Sequence, residues 1–362
     1  MTAMRRVRVL SALALVLVLV HPGAHADYSR RADVDAWITS VVDAHGLDRA
    51  TVSAVLSGAE RKQSILDAIA RPAERVLKWH EYRKIFVEPA RIDQGLEFWA
   101  AHAETLERAR IRYGVPPEYV VAIIGVETRY GRVTGSYRVL DALATLGFDY
   151  PPRAAFFRGE LAAFLLLARE EGLDPASLTG SYAGAMGYGQ FIPSSYRAYA
   201  VDFDADGRRD IWANPVDAIG SVANYFARHG WRAEGQVAAP LGAADPAVVA
   251  QAQPYIDDTL DLDRSVGVLR AAGFRVPAGA DSDAAELLLL DGASGQELWA
   301  ALPNFYVITR YNRSRLYALA VHELAGVIRS RRAALLSQPT GSPVETAPQA
   351  GPSVVHALAV NR

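Results

Sequence analysis

The stretch "VPPEYVVAIIGVETRYGRVTG", residues 115–135, runs from two prolines through an apolar segment to a single carboxylate, Glu127, and then into a glycine-bearing turn. Pro116 and Pro117 can open a helix at its first turn, where a backbone N–H has no partner anyway, but they cannot continue one from within. Glu127 therefore falls late in an apolar helix. One reading makes it a structural glutamate at a helix end, hydrogen-bonded by the backbone beyond it. The other makes it a general acid, because burial against Ile124 and its neighbours raises a carboxyl pKa and keeps the group protonated near neutrality. Position alone leaves both open.

Outward from this segment the chain reads as helix after helix. From Arg31 to about Arg110, helices break at Gly46, Gly58 and Pro72, with apolar residues near helical spacing in "DVDAWITSVVDAHG" and "AHAETLERARIRYG", and Gly46 and Gly114 as stops. Residues 153–170, "RAAFFRGELAAFLLLARE", are too apolar for a surface helix and predict a core element. Residues 214–229, "NPVDAIGSVANYFARH", predict another helix, capped by Asn214 with Pro215 at its first position. Between 233 and 290, Pro240, Pro246, Pro254 and Pro277 and the short run "ELLLL" predict a small irregular insertion with some strand. A last helix lies within "RSRLYALAVHELAGVIRSRRAALL"; residues 336–362 then lose periodicity and gain Pro, Ser and Gly, the composition of a disordered tail. The pattern predicts a mainly α fold with a small β-containing insertion.

The 362 residues are 51% hydrophobic and 22% charged with a formal net charge of −2, which suits a soluble globular protein with a sizeable core. That balance offers no broad basic face, so nucleic acid is excluded as a partner. Residues 1–26 carry Arg5, Arg6 and Arg8, the apolar run "VLSALALVLVLV" and a terminal "AHA", the three-part grammar of a secretory signal cleaved after Ala26. The chain has no cysteine, so disulfides, thiolate metal sites and a lipid-accepting cysteine are excluded, and the mature form is expected without a membrane anchor.

Several motifs fail on inspection. "HEYRK" at 80–84 and "HELAG" at 322–326 lack the second histidine of a zinc-protease helix, and neither a GxSxG elbow nor a phosphate-binding GxxxxGK[ST] loop is present. "DFDADGRRDIW", residues 202–212, is stronger: Asp202, Asp204, Asp206 and Asp210 offer oxygen ligands, Gly207 stands at the sharp turn, and the Arg208 carbonyl is available. Ala213 occupies the position where an EF-hand carries glutamate, and Asp217 is the next carboxylate, so the EF-hand-like loop spans 202–217. An acidic surface turn is the alternative, but aspartates this dense repel one another without a cation, and the expected role of calcium is structural. "GSYAGAMGYGQFIPSSY", residues 180–196, packs glycines among Tyr182, Tyr188, Phe191 and Tyr196. It reads either as a tightly turned buried loop or as a groove where bare backbone meets a ligand, aromatics stack on sugar faces, and Ser181 and Gln190 hydrogen-bond to it.

Taken together, "GVETRYG", "LDALATLGFDYPPR", "GSYAGAMGYGQFIPSSYRAYAVDFDADGRRDIW", "PVDAIGSVANYFARHGW" and "NFYVITRYNRS" resemble the membrane-bound lytic murein transglycosylase B family, its soluble members included. The similarity keeps the same order over nearly all of residues 30–330. It implies a catalytic domain at 27–335 with a lysozyme-like helical core and the small β-containing insertion. It further implies a periplasmic enzyme that cuts peptidoglycan glycan strands between N-acetylmuramic acid and N-acetylglucosamine, without an organic cofactor, and with cell-wall synthesis proteins as candidate partners.

The resemblance also assigns roles. Glu127 is implied to be the single catalytic carboxylate, acid first and base second, leaving 1,6-anhydro ends. Ser181 is implied beside it, with Gln190, Tyr188 and Tyr225 along the glycan groove and Asn304, Tyr306, Tyr311 and Asn312 in the matching groove-lining segment. Asp202, Asp204, Asp206, the Arg208 carbonyl and Asp217 match the calcium ligands, although Asp204 stands where the family can carry serine and one extra residue precedes Asp217. In "DYPPR" the family can carry two adjacent arginines where this chain has Pro152 and Arg153, leaving Arg153 for the stem peptide. Two rivals remain: a muramidase that admits water, and a catalytically silent peptidoglycan-binding protein, against which the intact "GVETRYG" weighs.

Overall fold

Gly46 and Gly114 end the helices Ala32–His45 and Ala103–Tyr113 in the left-handed region, at φ 60° and 72°, as their sequence positions predict. Gly58 ends Arg49–Ser57 differently, at φ −87°, where its amide turns back onto carbonyls of the last turn. These features come from a computed structural model that describes residues 28–70, 77–256, 259, 261–277 and 279–337. The expected secretory signal lies outside the described residues, as does the tail beyond the last helix, which continues through Leu336 to Ser337.

The chain divides into two compact units. The first holds the described residues 28–70, 135–185 and 192–194. In it, Val139–Asp149 packs on Ala154–Glu171, and the expected core helix buries Phe157 and every residue from Glu160 to Ala168. Glu160 is tolerated there because its carboxylate accepts from the Ser194 amide at 2.9 Å and from the Ser194 hydroxyl at 2.7 Å. A two-residue ribbon pairs Tyr137–Arg138 with Thr179–Gly180. Gly135 feeds it at φ 95°, and a Cβ there would come within 2.1 Å of the Gly180 carbonyl, so only glycine fits.

The second unit is built round Pro117–Thr128, which packs against Pro89–Ala101, Ala103–Tyr113, Pro215–Arg228 and Arg315–Ser337. Val120 through Ile124 are wholly inaccessible, so the apolar run is a central helix. Asn214 caps Pro215–Arg228 through its side chain, accepting from Val216 N at 2.9 Å. The expected insertion is a four-stranded antiparallel sheet in the order Ala238–Ala243, Gly295–Ala301, Ala284–Gly292, Arg264–Ser265. It extends past residue 290, because the strand carrying "ELLLL" needs Gly295–Ala301 beside it to pair its backbone. Leu287 faces a separate small core with Leu269, Phe274 and Leu298, while Leu288 and Leu290 are buried on the opposite face. Both faces are covered, which is why the run does not alternate. Among the described residues, no helix is long and apolar enough to cross a membrane.

Candidate active site

Glu127 stands one residue before the end of the central helix, which closes through three consecutive left-handed residues, Arg129 (φ 50°), Tyr130 (φ 61°) and Gly131 (φ 82°). Two of these carry side chains, so the turn is strained and needs external support. Thr128 supplies some: its Oγ1 accepts from Gly131 N at 3.0 Å and lies within donating distance of the Ile124 and Tyr188 carbonyls. Tyr130 folds back over the helix and donates to the Arg91 carbonyl at 3.0 Å. Its ring takes the space over Gly125, where a Cβ would meet the hydroxyl at 2.4 Å. "GVETRYG" is therefore one packing unit: the first glycine admits the tyrosine and the last admits the turn. At that last glycine the Tyr188 ring comes so close that a Cβ would lie 2.2 Å from it.

The turn leaves the Glu127 side chain partly open to solvent while its carboxyl sits deep in protein. Desolvation pushes its pKa from 4.5 up to about 7, opposed by a hydrogen bond from the Tyr317 hydroxyl to Oε1 at 2.5 Å. The partner predicted for a structural glutamate, the backbone beyond the helix, is replaced by a phenol from 190 residues further on. Nothing local in "SRLYALAV" marks Tyr317, and the sequence reading missed it.

The other expected groove residues of this unit divide by what their polar atoms already do. Gln190, itself left-handed at φ 50°, donates its amide to the Thr134 and Gly187 carbonyls at 3.1 and 3.0 Å, leaving Oε1 as the atom able to accept. Tyr311 donates to the Gly189 carbonyl at 2.5 Å and Tyr225 to the Arg310 carbonyl at 2.6 Å, so both phenols are committed to backbone. Their rings, with centroids 4.7 Å apart, form a cluster with Phe191, Tyr199 and His229. Tyr306 is half-buried under the Arg310 guanidinium, 4.3 Å from its ring centroid, and Asn312 is exposed where Pro303–Tyr311 ends.

Asn304 corrects the sequence reading. It is 0% exposed, accepts from Arg232 N at 2.9 Å and donates to the Arg232 and Gly235 carbonyls, both at 2.8 Å. It is a clamp on that loop and has no polar atom left for a groove. Ser181 and Arg153 belong to the first unit. There Ser181 Oγ accepts from Ala183 N at 3.3 Å and Ala185 N at 3.0 Å, closing its own turn, and the Arg153 guanidinium lies over the Phe156 and Phe157 rings at 4.5 and 5.1 Å.

In the acidic loop, one carboxylate oxygen from each of Asp202, Asp204, Asp206 and Asp217 lies within 4.8 Å of the others. Gly207, at φ 91°, makes the sharp turn, with Arg208 following it. Asp217 is fully buried, and its pKa is raised by desolvation and by the charges of Asp204 and Asp202. Four converging carboxylates, one of them buried, are the donor set of a hard divalent cation, so the residues fit calcium. Asp210, read as a ligand from spacing, stands outside the group: its Oδ1 accepts from Trp212 N and Ala213 N at 2.8 and 2.9 Å, starting the next turn.

A mainly helical, lysozyme-like core that carries one acid at the end of its central helix, together with a loop of converging aspartates, defines a class of glycan-strand enzymes. The chain belongs to the transglycosylase SLT domain family, whose profile matches residues 29–326. It is similar to membrane-bound lytic murein transglycosylase B of Escherichia coli K12, with 46% identity over 314 residues, covering 83% of this chain and 84% of that protein. The structure of catenated lytic transglycosylase SltB1 from Pseudomonas aeruginosa is 53% identical, covers 84% of this chain and all of that one, and superposes with a TM-score of 0.80. The Escherichia coli lytic transglycosylase Slt35 in complex with calcium is 46% identical, with 85% of this chain and 96% of that one covered and a TM-score of 0.74.

Proposed function

We propose that this lytic transglycosylase of peptidoglycan works through Glu127 alone, as acid and then as base. The observation that carries the reading is the Glu127 carboxyl itself: burial raises its pKa to about 7, and its hydrogen-bond partner is the Tyr317 phenol and not a second carboxylate. A hydrolase of the ordinary kind needs a second carboxylate as nucleophile or to activate water. Here the protonated carboxyl gives its proton to the glycosidic oxygen between N-acetylmuramic acid and N-acetylglucosamine as the bond to C1 breaks and its electron pair leaves with that oxygen. The N-acetyl oxygen of the muramoyl residue meets the positive charge at C1. The carboxylate then takes the proton of the C6 hydroxyl while C6–O closes on C1, and the 1,6-anhydro end forms with Glu127 protonated again. The nucleophile is tethered, which supplies the effective molarity that a free water lacks.

Gln190 Oε1, the rings of Tyr188, Tyr225, Tyr306 and Tyr311, and exposed Asn312 would line the glycan groove, Ser181 would act beside the acid, and Arg153 would meet the stem peptide. Asp202, Asp204, Asp206, the Arg208 carbonyl and Asp217 would hold calcium, which supplies charge neutralisation to the loop preceding Pro215–Arg228 and takes no part in proton transfer. The N-terminal signal grammar supports work in the periplasm. Mass spectrometry of purified sacculi digested with the mature chain tests the reading: anhydromuramoyl ends are expected, and reducing muramic acid ends would instead make the enzyme a muramidase.

A further inference from the structure

We infer that Tyr317 is the positioning residue of this acid: its hydroxyl holds Glu127 Oε1, so that Oε2 alone delivers and recovers the proton. The inference rests on Glu127 being the proton donor. Tyr317 is 3% exposed and lies in the first turn of Arg315–Ser337, where its amide donates to Ser314 Oγ at 3.2 Å and the following Ala318, Leu319 and Ala320 are fully buried. The ring is thus fixed by packing on a rigid element, and its hydroxyl reaches Oε1 at 2.5 Å.

Chemistry then distinguishes the two carboxyl oxygens. A carboxyl oxygen that carries a proton is a much poorer acceptor than the carbonyl oxygen beside it, so a phenol donating to Oε1 favours Oε1 as the carbonyl oxygen. The acidic proton of neutral Glu127 therefore sits on Oε2. When Oε2–H transfers its proton to the glycosidic oxygen, negative charge spreads over both oxygens, and the share on Oε1 meets a hydrogen-bond donor already in place. The Tyr317 bond becomes charge-assisted as the reaction proceeds, so it is stronger in the transition state than in the ground state. In the second half, Oε2 accepts the C6 hydroxyl proton and the original arrangement returns.

The groups around the pair leave this task to Tyr317. Tyr311, on Pro303–Tyr311, feels the charge of Glu127 but donates its own proton to the Gly189 carbonyl. Tyr82, on Trp79–Phe86, bears on Tyr317 and not on Glu127. Burial, Glu127 and Tyr311 all hold the Tyr317 phenol well above its ordinary titration, so it remains a donor throughout the working pH range.

The test is Tyr317→Phe in the mature chain, with kcat and KM measured from pH 4.5 to 9 on soluble glycan strands. On the acid plateau, kcat/KM should fall about tenfold to a hundredfold through kcat, with KM kept within about twofold. The alkaline limb should move up by roughly half to one pH unit, because the lost hydrogen bond favoured the charged form. A carbon-13 NMR titration of glutamate carboxyls, with the Glu127 signal assigned by its loss in Glu127→Gln, reads the same upward move directly in folded protein. A wild-type plateau and limb in Tyr317→Phe overturn the inference, as does lost activity with an unmoved Glu127 titration, which would make Tyr317 mere packing. Turnover by Glu127→Gln would sink the acid assignment itself; an inactive Glu127→Gln beside a wild-type Tyr317→Phe would sink only the role of Tyr317.

Discussion

Glu127→Gln should make the protein more stable and inactive at once, with a stability gain that depends on pH in a defined direction. The folded chain holds at about 7 a carboxyl that ordinarily titrates near 4.5, so it disfavours the charged form relative to the unfolded chain. The difference corresponds to roughly 3 kcal/mol. The sign follows from proton binding. Below pH 4.5 both states carry the neutral acid and the penalty is absent; it grows between 4.5 and about 7 and is complete above that. Glutamine is neutral throughout and can still accept from Tyr317, so the substitution removes the penalty with little change in shape. Scanning calorimetry at pH 4, 6 and 8 should show a gain near zero at the lowest pH and about 5 °C or more at the highest. Sacculus cleavage should vanish, since an amide has no acidic proton to give. Equal melting at pH 8, or a gain of the same size at pH 4, would refute the claim that buried charge at Glu127 is what the fold tolerates for function.

Chelation should lower the melting temperature, because a cation bound only to the folded state contributes about 2.7 kcal/mol at a hundredfold excess over Kd; Asp217→Asn should abolish that response, and superimposable curves with calcium and with chelator would reduce the loop to an acidic turn. Gly131→Ala should cost about 2 kcal/mol or more, since it places a Cβ in a left-handed conformation and against the Tyr188 ring; a thermal melt of wild-type form would show that the turn can relax. Ser181→Ala should reduce kcat far less than Glu127→Gln and lower stability by about 1 kcal/mol, because Oγ accepts two loop amides; unchanged turnover would leave Ser181 a role in the loop only.

The sequence by itself determined what depends on neighbours in the chain. Prolines at 116 and 117 opened the central helix, Gly46 and Gly114 closed others, and Asn214 and Pro215 started one more, because caps and φ preferences act within a few residues. The position of Glu127 near its helix end and the aspartate spacing at 202–206 were legible for the same reason. The tertiary structure decided everything that sums over distant residues. Whether Glu127 is neutral depends on how much protein surrounds it and on a phenol 190 positions away. Asn304 reads like a groove residue in "NFYVITRYNRS", yet Arg232 and Gly235 capture all of its polar atoms. Asp210 and Asp217 look equivalent as oxygen donors, but the turn at Trp212 takes the first, while the buried second converges with Asp202, Asp204 and Asp206. A side chain's chemistry is written in its letter; its charge, its partner and the atom it has left to offer are set by what the fold packs against it.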